Sequence, residues 1–430
     1  MAATAEIPHP ATRLPLLALI AANAVSQIGS MLTTVALPWF VLQTTGSPAK
    51  TGLTGFFVAL PHFVAGIAGG SVVDRMGFKR ASVVADVVSG FGIVAIPLLY
   101  ATVGLAFWQL LVLVLLGALL EVPGLTARRS LLPELAALAG QPLERANAAY
   151  EGNQYLSLLL GPPLAGLLVA RFGAANVLWL DAASFALSAL VVTVAIPGAA
   201  VRVTRRQAGR FRDDLLTGWR FLRDDRLLRA LAISVAVTNF LGSPFVAVIL
   251  PVYAARAYGD ATDLGFLIAA FGAGALVGAV VFAAIGHRLP RRATWIVAYC
   301  LVPLEFWVLA IDPSLTTAAA VLFVVGVTGG PLNPLLVTVR HERIPAELRG
   351  RVFSTFSAIS SVAIPLGMVL QGSLIEWIGL HGTIVVLAVS YQLIGLGMLF
   401  VPAFRAMDRP PSHGATDVAT PPSMAGSSRG

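Results

Sequence analysis

The sequence Gly70-Ser-Val-Val-Asp-Arg-Met-Gly-Phe-Lys-Arg80 places two pairs of charged residues in one short turn between two long apolar runs. The preceding run covers residues 51–73, and the following run covers residues 81–100. A backbone cannot turn inside hydrocarbon without leaving polar groups unpaired, so a charged turn between runs of about 20 residues is expected at a membrane surface. The stretch therefore predicts two membrane-spanning helices joined at one face of the bilayer.

The composition agrees with a membrane protein. Of the 430 residues, 57% are hydrophobic and 12% are charged, which is about half the charged share of a soluble domain. Long uniform apolar runs indicate a bundle of helices rather than a barrel of alternating strands. The sequence contains no Walker loop, metal-ligand spacing, nucleophile elbow or dinucleotide loop, so we expect no enzyme, no cofactor and no bound metal.

Apolar runs divide the chain into about twelve expected spans, six on each side of its longest loop, with the fourth at residues 104–125 and the fifth at residues 150–170. The expected parts are an N-terminal cytoplasmic segment, a first bundle, a linker, a second bundle and a disordered tail: residues 1–13, 14–196, 197–229, 230–404 and 405–430. The second part of the linker carries apolar residues along one helical face. It is either an amphipathic helix on the inner leaflet or a simple tether.

The basic residues set the expected orientation, because cytoplasmic loops concentrate Lys and Arg. With the N-terminus inside, the outer loops hold only Lys50, Arg171 and Arg256, which leaves 26 of the 29 basic residues inside. This pattern predicts a multi-pass protein of the cell membrane with both termini in the cytoplasm. The expected partner of the positive charge is the anionic inner leaflet and not nucleic acid.

A repeat links the two halves at a constant offset of 213 residues. The matched residues are Gly29, Ser30, Pro38, Gly46 and Gly52 with Gly242, Ser243, Pro251, Gly259 and Gly265. The charged turn has a partial second copy at residues 286–292 that lacks the acid. Two similar six-span halves predict an all-α, pseudo-symmetric membrane fold with a site between the halves, near the middle of the membrane.

The spacing G-x-x-x-D-R-x-G-x-K-R of the charged turn resembles the signature loop between the second and third helices of the major facilitator superfamily. The sequences Arg128-Arg-Ser-Leu-Leu-Pro-Glu-Leu135 and Ile344-Pro-Ala-Glu-Leu-Arg-Gly-Arg-Val-Phe353 are similar to loops of its macrolide-efflux and enterobactin-exporter branch. The resemblance implies a conformational gate formed by Gly70, Asp74, Arg75, Gly77, Lys79, Arg80 and Glu121. In this interpretation Asp74 contacts a helix end of the other half until the cytoplasmic side opens, and Lys79 and Arg80 pair with Glu121. The alternative is that the turn is a topology signal alone.

The fifth span contains Gly161-Pro-Pro-Leu-Ala-Gly166, which resembles the antiporter motif of the superfamily without its upstream glycines. The residues Gly161, Pro162 and Gly166 are expected to bend this helix and let it approach the other half closely. The arginine that many proton-coupled relatives carry in the fourth span is absent from residues 107–117. Proton coupling is therefore assigned to acidic residues instead.

Ionisable residues inside the spans are costly in a membrane and are functional candidates for that reason. The candidates for proton coupling are Glu121, Asp181, Glu305 and Asp86. Asp181 and Glu305 are equally well explained as hydrogen-bonding partners of a neighbouring helix. The candidates for the substrate pathway are Asn23, Gln27 and Asn239, whose amides also serve to join helices. His62 is either titratable or a packing residue.

These features predict a monomeric secondary transporter that exports small amphipathic molecules in exchange for protons by alternating access. The same fold as an importer or facilitator of a small nutrient is the alternative. A receptor or membrane enzyme would need an added soluble domain or a polar catalytic cluster, and the sequence offers neither.

Overall fold

The structure is a computed structural model that describes residues 12–197 and 211–408, with the backbone alone for residues 64–75 and 211–214. Most of the expected N-terminal segment and tail lies outside these residues. The described chain remains packed to its end, since Pro402–Met407 form a 3-10 helix in which Phe404 and Met407 are buried.

The described residues fold into helices, and ten helical segments among them are long and apolar enough to cross a membrane. The last of these bends at Gly379, where φ is 78°, and counts as two helices. The helix Pro48–Met76 completes a set of twelve. We number them α1 Leu14–Thr45, α2 Pro48–Met76, α3 Phe78–Thr102, α4 Phe107–Leu138, α5 Leu143–Phe172, α6 Ala174–Ala195, α7 Arg226–Ala257, α8 Ala261–Arg288, α9 Arg291–Leu309, α10 Leu315–Arg343, α11 residues 349–378 and α12 residues 380–400. The predicted all-α membrane fold is confirmed.

The charged turn between α2 and α3 consists of one residue. Helix α2 ends at Met76, α3 begins at Phe78, and Gly77 lies between them with a φ of 80°. A side chain is strained in this left-handed conformation, which explains the glycine at this position. The turn is therefore shorter than the sequence indicated, since the predicted spans ended at residue 73 and resumed at residue 81.

The helices alternate in direction, so their connections lie at two ends of the bundle. The basic end holds the connections at residues 76–78, 138–143, 195–226, 288–291 and 343–349, and the opposite end holds those at 45–48, 102–107, 172–174, 257–261, 309–315 and 378–380. Within the halves, α1 packs on α5 and α6, α3 packs on α6, and α8 packs on α10. The two halves meet where α2 packs on α11 and α5 packs on α8.

The fourth helix is longer than expected. The sequence predicted a span at residues 104–125 followed by a loop, but α4 continues to Leu138 after a brief interruption at Leu120. The charged stretch that begins at Arg128 is helical, because the bundle supplies polar partners for it. Helix α5 likewise begins at Leu143, earlier than the predicted residue 150.

A linker helix, Phe211–Asp224, precedes α7 and packs on α11. Thr355 donates a hydrogen bond to the Leu215 carbonyl oxygen at 3.5 Å, and Leu222 is buried while Trp219 is 52% exposed. The linker helix is thus attached to the second half of the molecule.

Candidate functional site

The first half contains a mostly apolar cavity of two adjoining parts with a few charged side chains on its walls, and we call it the N-terminal cavity. The larger part, about 340 Å³, lies mainly between α1, α2, α4 and α6, and Ala247 of α7 and Met368 of α11 also line it. The smaller part, about 200 Å³, shares Ser30, Met31, Glu121 and Phe185 with it. The charged and titratable residues that line the two parts together are His62, Glu121, Asp181, Asp86 and Arg128. The structure thus brings together three of the four acids that the sequence proposed for proton coupling.

Glu121 pairs with His62 across this cavity. The His62 Nε2 lies 3.4 Å from the Glu121 Oε2, and the two side chains are 41% and 30% exposed. The His62 Nδ1 lies 3.0 Å from the carbonyl oxygen of Val58, which can only accept, so Nδ1 carries a hydrogen. For Nε2 and the carboxylate to attract each other, a hydrogen must then lie between them, on either Nε2 or the carboxylate. The structure thus places an imidazole and a carboxylate side by side on the wall of this cavity.

The expected pairing of Glu121 with Lys79 and Arg80 is wrong. The Lys79 Nζ donates a hydrogen bond to the carbonyl oxygen of Thr193 at 2.8 Å and another to that of Ile196. These carbonyls lie at the end of α6, where backbone oxygens lack helical partners and attract a cation. Lys79 therefore ties the start of α3 to α6, and Arg80 is exposed.

Asp181 is buried beside the same cavity. Thr33 donates a hydrogen bond to its carboxylate from α1, and Ser184 donates another at 3.3 Å from α6 itself. The residue thus joins two helices and also lines the space that Glu121 lines. This position is compatible with both roles considered for Asp181, that of a proton-coupling residue and that of a hydrogen-bonding partner of a neighbouring helix.

Asp86 forms a buried ion pair with Arg128, and both side chains are 3% exposed. Ser188 donates to Asp86 at 2.8 Å, and Arg128 donates to Ser82 at 3.2 Å. Residues 107–117 contain no arginine, as expected, but α4 continues beyond them and carries Arg128, which the sequence predicted to lie in a loop. The helical period could have revealed it, since Glu121, Gly124 and Arg128 recur at spacings that share one helix face.

The second half contains a larger and more aromatic cavity of about 810 Å³, which we call the C-terminal cavity. It lies between α5, α7, α8, α9, α10 and α12, and its aromatic lining consists of Tyr155, Phe245, Phe271, Trp295, Tyr299 and Tyr391. Glu305 lines this cavity and is 4% exposed. Among the residues that the structure describes, its carboxylate has no hydrogen bond or ion pair.

The three amides of the proposed substrate pathway lie in different places. Asn239 lines the C-terminal cavity and donates to the Ser360 carbonyl oxygen on α11 at 3.0 Å. Gln27 lines the N-terminal cavity. Asn23 is completely buried and lines neither cavity, so the structure does not bring it to the pathway.

The two halves approach each other through glycines at the opposite end. A methyl group on Gly166 of α5 would lie 2.5 Å from the Ala261 carbonyl oxygen and 3.1 Å from the Gly265 Cα of α8. A methyl group on Gly372 of α11 would lie 2.6 Å from the Pro48 carbonyl oxygen and 3.1 Å from the Gly52 Cα of α2. Gly52 and Gly265 are partners in the sequence repeat, so the repeat marks two equivalent helix crossings.

Comparison with known proteins agrees with this architecture. The family model of transmembrane secretion effectors, a group of the major facilitator superfamily, matches residues 11–422. The chain belongs to this family. It is 33% identical over 403 residues to the multidrug efflux pump Tap of Mycolicibacterium fortuitum, which covers 92% of this chain and 97% of the pump. It is 23% identical over 371 residues to macrolide efflux protein A of Streptococcus pyogenes, covering 84% and 89%.

Solved structures support the fold of this secretion effector. The nucleoside transporter NupG matches with a TM-score of 0.75 and 10% identity, covering 90% of this chain and 98% of NupG. A bacterial homolog of the lysosomal transporter Spinster matches with a TM-score of 0.71 and 16% identity, covering 92% and 98%. The chain is a multi-pass membrane transporter of an efflux branch and not an enzyme.

The remaining motif residues of the secretion effector are placed as follows. The backbone of Gly70, Asp74 and Arg75 lies in α2, close to its end, and their side chains lie outside the described residues. A methyl group on Gly161 would collide with Met31 of α1, while the Pro162 carbonyl faces Gly265 of α8. The α5 motif therefore packs on both halves, as its resemblance to the antiporter motif implies.

Proposed function

We propose that this transporter exports small amphipathic molecules in exchange for protons. The observation that carries the proposal is the His62–Glu121 pair, a proton-binding group that lines a cavity inside the bundle. The names of its relatives, a multidrug efflux pump and a macrolide efflux protein, favour export over nutrient import.

The substrate binds in the C-terminal cavity. Its volume of about 810 Å³ is within the range of pockets that hold drug-sized ligands. Its aromatic walls suit an apolar body, while Asn239 and Glu305 supply polar contacts. Glu305 is the buried acid on the wall of this cavity, and its role is to discriminate substrates by their charge.

The proton binds at Glu121 and His62, with Asp181 as the neighbouring acid. Asp86 is removed from the list of proton carriers, because Arg128 compensates its charge within the same bundle.

The two glycine crossings support alternating access, in which they act as pivots at the opposite end. At the other side of the pivots, His62 and Phe63 of α2 stand apart from α11 across a space of about 270 Å³. If the basic end is cytoplasmic, this conformation opens inward. The gate residues Asp74, Arg75, Lys79 and Arg80 would then close the basic end in the outward-facing state.

Transport into inverted membrane vesicles tests the proposal, with radiolabelled erythromycin as the probe. Energised vesicles that contain the wild-type protein should accumulate the drug, and an uncoupler should abolish accumulation. Glu121→Gln should abolish it as well, because the His62 pair loses its titratable acid. The matched control is Glu151→Gln, an exposed acid at the basic end that pairs with Arg129. Accumulation that is indifferent to the uncoupler would contradict proton coupling.

A further inference from the structure

A groove of about 960 Å³ lies outside both cavities, between the basic ends of α7 and α12. Its apolar walls are Ile233, Val237, Ile394, Met398, Val401 and Phe404. Ile233 is 57% exposed and Val237 is 36% exposed, so the groove opens on the outer surface of the bundle. In a membrane-spanning bundle that surface faces lipid.

The mouth of the groove is basic. Arg226 and Arg229 line it with exposed side chains, and Arg343 lies behind them. Two aspartates share the mouth, but Asp225 is already engaged. It accepts hydrogen bonds from the backbone N–H groups of Leu227 and Leu228 at 2.8 and 2.9 Å and pairs with Arg343 at 3.1 Å. Asp225 and Arg343 compensate each other, so Arg226, Arg229 and the exposed Asp224 leave the mouth with one net positive charge. Arg229 donates one hydrogen bond to the Arg223 carbonyl oxygen and keeps its charge exposed.

We propose that this groove binds an anionic phospholipid, with the phosphate on Arg226 and Arg229 and an acyl chain along the apolar walls. A basic site between membrane helices is the arrangement that recognises anionic head groups. Ile233 and Val237 lie seven and eleven residues beyond Arg226, which places them about 10 and 16 Å deeper at a rise of about 1.5 Å per residue. This depth corresponds to about half of a hydrocarbon core of roughly 30 Å.

An anionic phospholipid fits both the basic mouth and the apolar walls of the groove. Smaller or uncharged occupants fit only one of the two. A free phosphate would leave the apolar walls without a partner, and a zwitterionic lipid would bring its own cation to the arginines. The bound lipid would also hold several elements together. Asp225 caps α7, and Arg343 of α10 bonds to Asp225 and donates to the Ala406 carbonyl oxygen at 2.9 Å.

Native mass spectrometry of the full chain in detergent tests the proposal, with phosphatidylglycerol and phosphatidylcholine as probes. One variant, Arg226→Gln with Arg229→Gln, removes the charge. A second, Gly397→Phe, fills the groove: Gly397 is exposed, its φ is −59°, and no atom lies within 4 Å of an added Cβ. The control for the charge variant is the double variant Arg145→Gln with Arg288→Gln, and the control for the filling variant is Gly350→Phe. All three substitutions change exposed residues at the same end.

Phosphatidylglycerol should bind the wild type on the order of tenfold more tightly than phosphatidylcholine does, because each arginine near the surface adds to anionic binding. Both groove variants should lose this preference, and both controls should keep it. Glycerol phosphate, which has the head-group charge without the chains, should not compete. Equal binding of the two lipids, unchanged binding in either groove variant, or displacement by glycerol phosphate would each overturn the proposal.

Discussion

The two halves of this transporter share one fold but differ in the partners that they provide for their buried acids. In the first half each described acid of the cavity has a partner: Asp86 pairs with Arg128, Asp181 accepts from Thr33, and Glu121 faces His62. In the second half Glu305 lies against aromatic rings with no such partner among the described residues. A buried carboxylate without a partner must hold a proton or attract a cation. The comparison suggests that the first half carries the proton and the second half senses the charge of the substrate.

The largest effect should come from breaking the ion pair between Asp86 and Arg128. Arg128→Ala leaves Asp86 as an isolated buried charge, which costs about 3–5 kcal/mol in comparable sites. We expect a strong loss of folded protein and a lower Tm in detergent. The double variant Asp86→Asn with Arg128→Gln removes both charges and should recover part of the loss. Equal damage in the single and double variants would show that the pair is not what stabilises this region.

Substitutions at the two crossings should have the next largest effect. Gly166→Ala and Gly372→Ala both place a methyl group against backbone of the other half. We expect each to reduce transport by about tenfold, since the methyl group prevents the close helix contact about which the halves rotate. Gly152→Ala is the control, because an added Cβ there has no atom within 4 Å. Transport in vesicles is the measurement, and a large difference between the two crossings would contradict their equivalence.

Glu305→Gln should separate substrates by charge. The variant keeps the shape of the side chain and removes its negative charge, so transport of ethidium should fall about tenfold while chloramphenicol, which is neutral, is transported nearly as before. Asp263→Asn, in the first turn of α8, is a control for loss of one acid from the same half. An equal loss for both drugs would show that Glu305 has a general role in coupling or packing.

His62→Gln should have the smallest effect. Glutamine can still donate a hydrogen bond to Glu121 but cannot take up a proton. We therefore expect the slope of the transport rate against the pH gradient to fall by about threefold. The measurement is the initial rate of erythromycin uptake at several imposed gradients. A gradient dependence identical to that of the wild type would place the proton on another residue.

The sequence was sufficient for the fold because each span is a long apolar run and each half repeats the other. The match of Gly52 with Gly265 was visible before the structure, whereas the single-residue turn at Gly77 was not, because the charged residues around it were read as a longer loop. The helical position of Arg128 was missed, because a drop in hydropathy looks the same whether a charge lies in a loop or is paired inside a bundle, and only its spacing from Glu121 and Gly124 distinguishes the two. The pairing of Glu121 with His62 depends on how α2 packs against α4, which local sequence does not specify.

The ion pair between α3 and α4 has a consequence for how the protein enters the membrane. Asp86 is synthesised before Arg128, and each charge alone is costly at the centre of a lipid bilayer, on the order of 3 kcal/mol. Each helix is then less stable in lipid by itself than when the two are paired. We expect the insertion machinery to release α3 only together with α4, so that the charges neutralise each other as the two helices leave it as a hairpin.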